Sequence, residues 1–268
     1  MKGKITPQKI VVITGGTSGI GAELAKIYQA QNHIVCILAH DITEDDFVNN
    51  KLYCDVTNEE RVKNCIEYIG KKFKRIDVVI NCAGYGLAGA IELTPTKDAV
   101  KQFDTNFFGT FNINKYAIKY MKEGSTIVNI ASTCALFPLP YRGLYCSSKA
   151  SVDMYSKCLS MELANSKINV ISVCPGDTKT NFSKNRVKLF ETNKRYGDRI
   201  TKSIKKVEGN QEKRMEPSFV AKKIFNFANK KRPKPMYIIG FKYKVLNFFN
   251  KILPQKLMLK ITNKMFNK

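Results

Sequence analysis

The sequence predicts an α/β fold, a doubly wound Rossmann-type parallel sheet with helices on both faces. Short apolar runs rich in Ile and Val alternate with longer stretches of helical periodicity. A glycine-rich loop stands between the first run and the first helical stretch. The 268 residues contain no internal repeat and no low-complexity linker, so we expect one domain with a large core.

Each strand is predicted from an apolar run, and each helix from the pattern that follows. The strands are expected at 10–14, 34–39, 51–54, 76–81, 126–131, 168–174 and 236–239. The helices are expected at 22–31, 58–73, 97–121, 145–165 and 217–229, with one or two more within 182–207. Right-handed crossovers between parallel strands place the loops after the strands at one edge, where ligands bind in such sheets.

Tyr145 and Lys149 lie four residues apart at the start of a predicted helix. Residues i and i+4 share a helix face, so the phenol and the ammonium point into the same space. A nearby cation lowers the phenol pKa from its usual value of about 10. The pair therefore indicates a group that can transfer a proton near neutral pH.

The loop Thr14–Gly21 reads Thr-Gly-Gly-Thr-Ser-Gly-Ile-Gly. Gly15, Gly19 and Gly21 suit a turn that brings the backbone close to a pyrophosphate. The helix that follows offers free N–H groups and the positive end of its dipole. The spacing Gly-x-x-x-Gly-x-Gly after a first strand therefore predicts a nucleotide site.

Further motifs follow in a fixed order, and together with the loop they resemble the short-chain dehydrogenase/reductase family, in its single-domain branch. The resemblance covers nearly the whole chain. Its motifs are Thr14–Gly21, Cys54-Asp55-Val56-Thr57, Asn81-Cys82-Ala83-Gly84, Asn106, Ser132, Tyr145 with Lys149, Cys174-Pro175-Gly176 and Thr180.

The resemblance implies hydride transfer between a nicotinamide cofactor and a carbonyl or secondary alcohol, with four catalytic residues. Tyr145 would exchange the proton with the substrate oxygen. Lys149 would bind the nicotinamide ribose and lower the pKa of Tyr145. Ser132 would donate a hydrogen bond to the developing oxyanion, and Asn106 would hold a water that links Lys149 to solvent.

The resemblance also implies which residues bind the cofactor. Asp55 would contact the adenine, the motif at Asn81 would shape the adenosine pocket, and the segment from Pro175 would close over the nicotinamide. The full expected set is Gly15, Thr17, Ser18, Gly19, Ile20, Gly21, His40, Asp55, Val56, Asn81, Ala83, Gly84, Tyr145, Lys149, Pro175, Gly176, Thr178 and Thr180.

His40 occupies the position where the family carries Asp for NAD or Arg for NADP. A histidine can donate to a 2′-phosphate, and a bound dianion would raise its pKa. The carboxylate of Asp41 argues for NAD instead. NADP (as NADPH) is favoured, with NAD as the alternative.

The substrate lid is expected within 177–216, a polar and basic stretch. Nearby apolar residues either face a sizeable substrate or pack the lid; they are Tyr85, Leu87, Phe137, Leu139 and Leu144. The segments 81–90 and 102–109 resemble the branch of hydroxysteroid, retinol and acyl-dihydroxyacetone-phosphate reductases, which favours a lipid-like or steroid-like substrate. The alternatives are a 3-oxoacyl carrier-protein reductase and a non-catalytic nucleotide-sensing protein on the same fold.

The C-terminal end of the chain is strongly basic. Residues 217–268 hold thirteen Lys or Arg and no Asp or Glu. We expect a catalytic domain over 1–240 and an amphipathic tail over 241–268. In the tail Lys256, Lys260, Lys264 and Lys268 would form one helix face, beside a stripe of Leu257, Ile261 and Met265. Such a helix suits an anionic membrane interface, or it docks over the substrate cavity or a partner subunit.

Composition narrows the remaining classes. No apolar run reaches the roughly 18 residues of a membrane span, and no apolar signal segment opens the chain. Eight scattered cysteines without Cys-x-x-Cys, and two histidines, predict no metal site. The net charge of +23 comes without a nucleic-acid-binding motif, so nucleic acid is not an expected partner. We expect a cytoplasmic protein, peripheral on the inner membrane surface, and a homo-oligomer as the resemblance implies.

Overall fold

The structure, a computed structural model, describes residues 7–183, 185–209 and 211–266. Its central sheet has seven parallel strands in the order β3-β2-β1-β4-β6-β7-β9. The strands of that sheet are β1 Ile10–Thr14, β2 Ile34–Ala39, β3 Lys51–Tyr53, β4 Val78–Asn81, β6 Thr126–Ile130, β7 Asn169–Pro175 and β9 Met236–Ile239. The order runs outward from β1 to β3 and then restarts beside β1 with β4, which confirms the predicted doubly wound topology.

The helices cover both faces of this sheet. They are α1 Gly19–Ala30, α2 Glu59–Phe73, α3 Thr96–Phe103, α4 Gly109–Ala117, α5 Gly143–Glu162, α6 Arg199–Glu208, α7 Pro217–Ala228, α8 Phe241–Ile252 and α9 Gln255–Phe266. Asn58 caps α2 by accepting a hydrogen bond from the Arg61 amide at 2.9 Å, a reason for the helix to begin at this residue.

The side chains of strand β1 pack alternately into two apolar clusters, one on each face of the sheet. Ile10 and Val12 belong to the apolar cluster with α2 and α4, whereas Val11 and Ile13 belong to the cluster with α1 and α7. Successive side chains of a strand point to opposite faces, so a strand covered on both faces must be apolar throughout. All five β1 residues are buried.

The helix predicted over 97–121 is divided. Residues Asp104–Phe108 form a π-helical turn between α3 and α4, and a 3₁₀ turn over Ile118–Tyr120 follows α4. A π turn holds one more residue than an α turn and often occurs at functional sites. Apolar periodicity does not reveal such a turn, because the flanking helices remain amphipathic.

The predicted lid contains α6 and a second, two-stranded sheet. β5 (Leu87–Ala88) pairs in parallel with β8 (Val187–Lys188), and the Val187 amide donates to the Gly86 carbonyl at 2.9 Å. Ile200 and Ile204 of α6 are buried against Ala88 and Ala90. The lid is thereby attached to the loop that follows β4.

The tail forms α8 and α9, separated at Leu253 and Pro254. A residue before proline avoids the helical region, and Leu253 is extended at φ −79° and ψ 147°. Among the described residues, no helix is long and apolar enough to cross a membrane.

Candidate active site

The predicted phosphate loop between β1 and α1 leaves no room for a side chain at Gly15 or Gly21. Gly15 has φ +62°, and a Cβ there would lie 3.1 Å from the Ala83 amide nitrogen. A Cβ on Gly21 would lie 2.3 Å from the Gly15 carbonyl oxygen. The glycines thus allow the loop to fold tightly against the loop after β4, as expected for a backbone cradle.

The N-terminus of α1 is open toward this cradle. Ser18 stands at the N-cap without a side-chain capping bond, and the first turn carries no acidic residue. The N–H groups and the positive helix end are therefore left for an anion, which fits the pyrophosphate of a dinucleotide. Thr17 and Ile20, two further predicted contact residues, flank this opening.

Thr14 joins the loops after β1 and β4. Its hydroxyl oxygen accepts hydrogen bonds from the amides of Cys82 and Ala83, each at 3.1 Å. These bonds fix the loop that carries Ala83 and Gly84. Thr14 was missing from the predicted site residues, although its place at the end of β1 before the glycines could have revealed it.

The Asn81 side chain is buried and hydrogen-bonded inside the fold, and its predicted contact with the cofactor stays a prediction. Its Nδ2 donates to the Oδ1 atoms of Asn114 and Asn129, each at 2.8 Å. The Nδ2 of Asn129 donates to Ser156 at 2.9 Å. Buried amides require such partners, and these bonds join β4 to α4, β6 and α5.

The adenosine end of the cleft combines exposed and buried residues. His40 is exposed directly after β2, and the Thr17 hydroxyl bonds both carboxylate oxygens of Asp41, at 2.8 and 3.0 Å. Asp55 accepts from the amide and the hydroxyl of Thr57 at 2.9 and 2.8 Å, which orients its carboxylate. Val56 is buried.

Asn106 lies in the π-helical turn and is fully buried. Its Oδ1 accepts from the Tyr85 amide at 3.0 Å, and its Nδ2 donates to the Tyr85 carbonyl at 3.1 Å. The same Nδ2 donates to the Ser148 hydroxyl at 3.0 Å. Ser148 lies on α5 between Tyr145 and Lys149, so Asn106 connects the loop after β4 to the helix with the reacting groups.

Lys149 reaches the end of β6. Its Nζ donates to the Ile130 carbonyl at 2.8 Å, and burial lowers the pKa of its ammonium to about 8. Gly84 admits this arrangement, because a Cβ on it would lie 2.8 Å from Asn106 Oδ1 and 3.4 Å from Lys149 Nζ. The predicted pair Asn106 and Lys149 is thus brought together.

Tyr145 differs from the expectation that a cation lowers its pKa. Burial raises the pKa of the phenol above its ordinary value, and the neighbouring Cys134 adds to this. A hydrogen bond with the Ser132 side chain and the charge of Arg186 oppose the rise. Lys149 does not dominate here, since desolvation of the phenolate outweighs nearby charge in a closed site.

Ser132 is fixed just beyond β6. Its hydroxyl accepts from the Cys134 amide at 3.1 Å and caps the 3₁₀ turn Thr133–Ala135. This bond uses an acceptor site and leaves the hydroxyl proton for donation. The side chains of Ser132 and Tyr145 are hydrogen-bonded to each other, so both hydroxyl groups face the same space.

The segment after β7 lies against the Gly-rich loop. The hydroxyl of Thr178 donates to the Gly176 carbonyl at 2.9 Å. A Cβ on Gly19, which has φ +53°, would lie 3.3 Å from the methyl of Thr180. The segment that begins at Pro175, the last residue of β7, thus reaches the Gly-rich loop, and its role as a nicotinamide cover stays a prediction.

Two residues near this segment were not predicted. The ring of Phe182 lies 5.7 Å from the ring of Tyr145, centroid to centroid. Tyr243, on α8, packs its ring against Gly176 and hydrogen-bonds Asp177. Neither belongs to a motif, and only the folded lid and tail bring them to the site.

The apolar residues considered for a substrate surface separate into two groups. Leu87 and Phe137 are buried, which fits packing of the lid. Tyr85, Leu139 and Leu144 are half-buried and stay available to a ligand. In the described part of the chain, no group of three His, Cys, Asp or Glu side chains is arranged to hold a metal ion.

A profile of the short chain dehydrogenase family matches residues 9–189. The chain belongs to the short-chain dehydrogenase/reductase family. It is therefore an NAD(P)-dependent oxidoreductase, and the non-catalytic alternative is wrong. The matched residues include the phosphate loop and the four predicted catalytic residues, but not α8 or α9.

This short-chain dehydrogenase/reductase resembles several known members. It is 34% identical over 229 residues to a 3-ketodihydrosphingosine reductase of Bacteroides thetaiotaomicron, covering 84% of this chain and 85% of the relative. It is 30% identical over 185 residues to a human 3-oxoacyl-[acyl-carrier-protein] reductase, covering 66% and 78%. The solved structure of ElxO with NADP bound has a TM-score of 0.73 and 31% identity, covering 89% of this chain and 99% of that one.

Proposed function

We propose that this enzyme uses NADPH to reduce the ketone of a lipid-like substrate. The observation that carries the proposal is the convergence of Asn106, Ser132, Tyr145 and Lys149 at the edge of the sheet that also holds the phosphate cradle. The fold alone would not distinguish reaction classes. Four groups suited to proton transfer and oxyanion binding, beside a dinucleotide cradle, favour carbonyl reduction.

Bound NADPH would supply a hydride from its nicotinamide to the carbonyl carbon. Tyr145 would give its proton to the substrate oxygen, and its raised pKa keeps that proton in place until the oxyanion develops. The Ser132 hydroxyl would donate to the same oxygen. Lys149 would hold the ribose and return a proton to Tyr145.

The preference for NADP is supported by the end of β2. His40 is exposed there and can donate to a 2′-phosphate. Both oxygens of the Asp41 carboxylate accept from Thr17, which holds the acidic group toward the loop. The similar ElxO carries NADP in its solved structure. Fluorescence titration with NADPH and with NADH tests this preference, and tighter NADH binding would contradict it.

The lipid-like substrate is supported by the similarity to a 3-ketodihydrosphingosine reductase. Half-buried Tyr85, Leu139 and Leu144 offer apolar surface for an alkyl chain. The test is NADPH consumption with 3-ketodihydrosphingosine as the probe. Tyr145→Phe should keep NADPH binding and lower turnover by roughly 100-fold or more, and Tyr116→Phe, on α4, serves as the control.

A second candidate is reduction of a 3-oxoacyl chain on an acidic carrier protein. The net charge of +23 would attract such a carrier, and a human enzyme of this activity is 30% identical. Comparing NADPH consumption with a 3-oxoacyl carrier protein and with 3-ketodihydrosphingosine decides between them. Faster turnover of the carrier-bound substrate would overturn the lipid proposal.

We further propose a homo-oligomer that works in the cytoplasm, peripherally at the inner membrane surface. Self-association is supported by exposed apolar side chains on the π-helical turn and on the helices α4 and α5 beside it, namely Phe108, Phe111, Met154 and Met161. Light scattering of the purified protein tests it, and a monomeric mass at all concentrations would contradict it.

A further inference from the structure

Helix α8 presents a continuous apolar stripe to solvent. Phe241, Val245, Phe248 and Ile252 follow the spacing i, i+4, i+7 and i+11, which places them on one helix face. Their exposed fractions are 82%, 39%, 60% and 61%. A stripe of this size left in water marks an interaction surface.

The opposite face of α8 is attached to the catalytic body. The Tyr243 hydroxyl donates to Asp177 Oδ2 at 2.5 Å, and Asn250 Nδ2 donates to the Leu136 carbonyl at 3.3 Å. Tyr243 and Asn250 are seven residues apart and share a face. The helix is held by this face, so the apolar stripe stays turned outward.

Helix α9 has the same division. Met258 and Thr262, four residues apart, are buried. Leu257, Leu259 and Ile261 expose 43%, 47% and 36% of their surface. Leu257 and Ile261 share one face, whereas Leu259 lies on the other side of α9. We call the following residues the tail surface: Phe241, Val245, Phe248, Ile252, Leu257 and Ile261 with the lysines of the same helices.

The charged residues of the tail surface are all positive. Helices α8 and α9 carry six lysines and no acidic residue: Lys242, Lys244, Lys251, Lys256, Lys260 and Lys264. Lys242 lies 3.5 Å from Asp177 of the body. Cations beside an apolar stripe match a bilayer interface with anionic headgroups, which offers both chemistries at once. A second copy would bring the same charge to the contact and be repelled.

We propose that the tail surface seats this enzyme on a bilayer that contains anionic phospholipids. Leu136 follows the turn that carries Ser132, and Asp177 belongs to the segment after β7. The bilayer would thus lie against the outer face of the helix whose inner face contacts these two residues. A ketone dissolved in the bilayer could then enter without crossing water; this path rests on the proposed function, whereas the binding does not.

The experiment is co-sedimentation of the full chain, without NADPH or substrate, with vesicles of phosphatidylcholine alone or mixed with phosphatidylglycerol. We expect binding to the mixed vesicles that weakens with added salt. We expect vesicle binding to weaken by about tenfold or more in each of two double variants. They are Phe248→Ser with Ile252→Ser, and Lys256→Glu with Lys260→Glu. Val48→Ser and Lys101→Glu, exposed on the body, should leave it unchanged.

Three results would overturn the proposal. They are equal binding to both kinds of vesicle, tail variants that bind like the body controls, and a tail variant that changes the oligomeric mass while vesicle binding persists. The variants should keep normal turnover of a short, water-soluble ketone, which shows that they fold. A protein that binds anionic vesicles but reduces no ketone would overturn the proposed function and leave the tail surface standing.

Discussion

The Tyr243 hydroxyl donates a hydrogen bond to Asp177 Oδ2 at 2.5 Å, and the Asp177 amide donates back to the Tyr243 oxygen at 3.2 Å. The Tyr243 ring also fills the space where a Cβ on Gly176 would lie. Burial and the adjacent carboxylate raise the pKa of Tyr243 above its ordinary value, so the phenol remains a donor. A helix outside the family-matched residues thus holds the segment after β7.

Tyr243→Phe should weaken NADPH binding, because the ring remains while the bond that positions Asp177 is lost. A hydrogen bond to a charged group contributes about 1.5–3 kcal/mol, so we expect a rise in Kd of roughly tenfold or more. Tyr116→Phe is the matched control, since it removes a hydroxyl 2.7 Å from Glu59 on the surface. Equal Kd values for the two variants by fluorescence titration would contradict the role of Tyr243.

Gly84→Ala should lower turnover with little loss of stability. Its Cβ would lie 2.8 Å from Asn106 Oδ1, so the amide and its neighbour Lys149 must move. A displacement of about 1 Å in a catalytic site can cost about 100-fold in rate. Gly209→Ala, whose Cβ would meet its nearest neighbour at 3.3 Å, is the control. Unchanged kcat in Gly84→Ala would show that Asn106 is not needed in this position.

Lys149→Met should stabilise the fold near neutral pH while it removes activity. The native pKa of Lys149 is about 8, against about 10.4 unfolded, a difference of about 3 kcal/mol. Below about pH 8 the folded protein must bury a charged amine. Between the two pKa values the free energy of unfolding rises with pH, because the unfolded chain binds more protons than the folded protein. The variant removes the cost of burying the charge. It also loses the hydrogen bond to the Ile130 carbonyl, which contributes about 1 kcal/mol.

Urea unfolding of Lys149→Met and of the parent across this pH range measures the effect. The advantage of the variant should shrink as the pH rises from about 8 toward about 10.4, because Lys149 is neutral in both states only above the higher pKa. Lys101→Met, at an exposed site on α3, should show no such pH dependence. A stability difference that does not vary with pH would mean that Lys149 keeps an ordinary pKa in the fold.

The kcat/KM for NADPH should be level at neutral pH and fall above about pH 8, as the free enzyme loses the charge of Lys149. Tyr145 stays protonated through this range, because its pKa is raised. The residual activity of Lys149→Arg, whose guanidinium keeps its charge, should lack the fall. If kcat/KM of the parent enzyme stays level to about pH 10, the charge of Lys149 has no role in this step.

The topology of the sheet could be predicted because each strand is a separate apolar run. The bounds of β1, β2 and β9 agree with the predicted ranges, and the Gly-rich loop correctly marked the turn between β1 and α1. Helix α1 begins at Gly19, three residues before the predicted start, since glycines lower the helical signal in the first turn. Motif order also located Ser132, Tyr145 and Lys149 at one edge.

What sequence could not supply were contacts between distant segments. The partners of Asn81 are two further asparagines, on α4 and on β6, and the sequence motif does not say whether the Asn81 amide faces a ligand or the interior. The pKa of Tyr145 depends on burial under Phe182 and the lid, which spacing along a helix does not register. Helix α8 docks on the body by one face and exposes the other, and contact of the tail with a membrane stays a prediction.

The π-helical turn at Asp104–Phe108 makes the site sensitive to chain length as well as to side-chain identity. Loss of one residue there would replace the wide turn with an ordinary α-helical turn and so displace the side chains within it. The Asn106 amide would then leave Tyr85 and Ser148, even with every remaining side chain intact. Substitutions in this turn can accumulate gradually, whereas a single-codon deletion would disconnect the loop after β4 from α5 in one step.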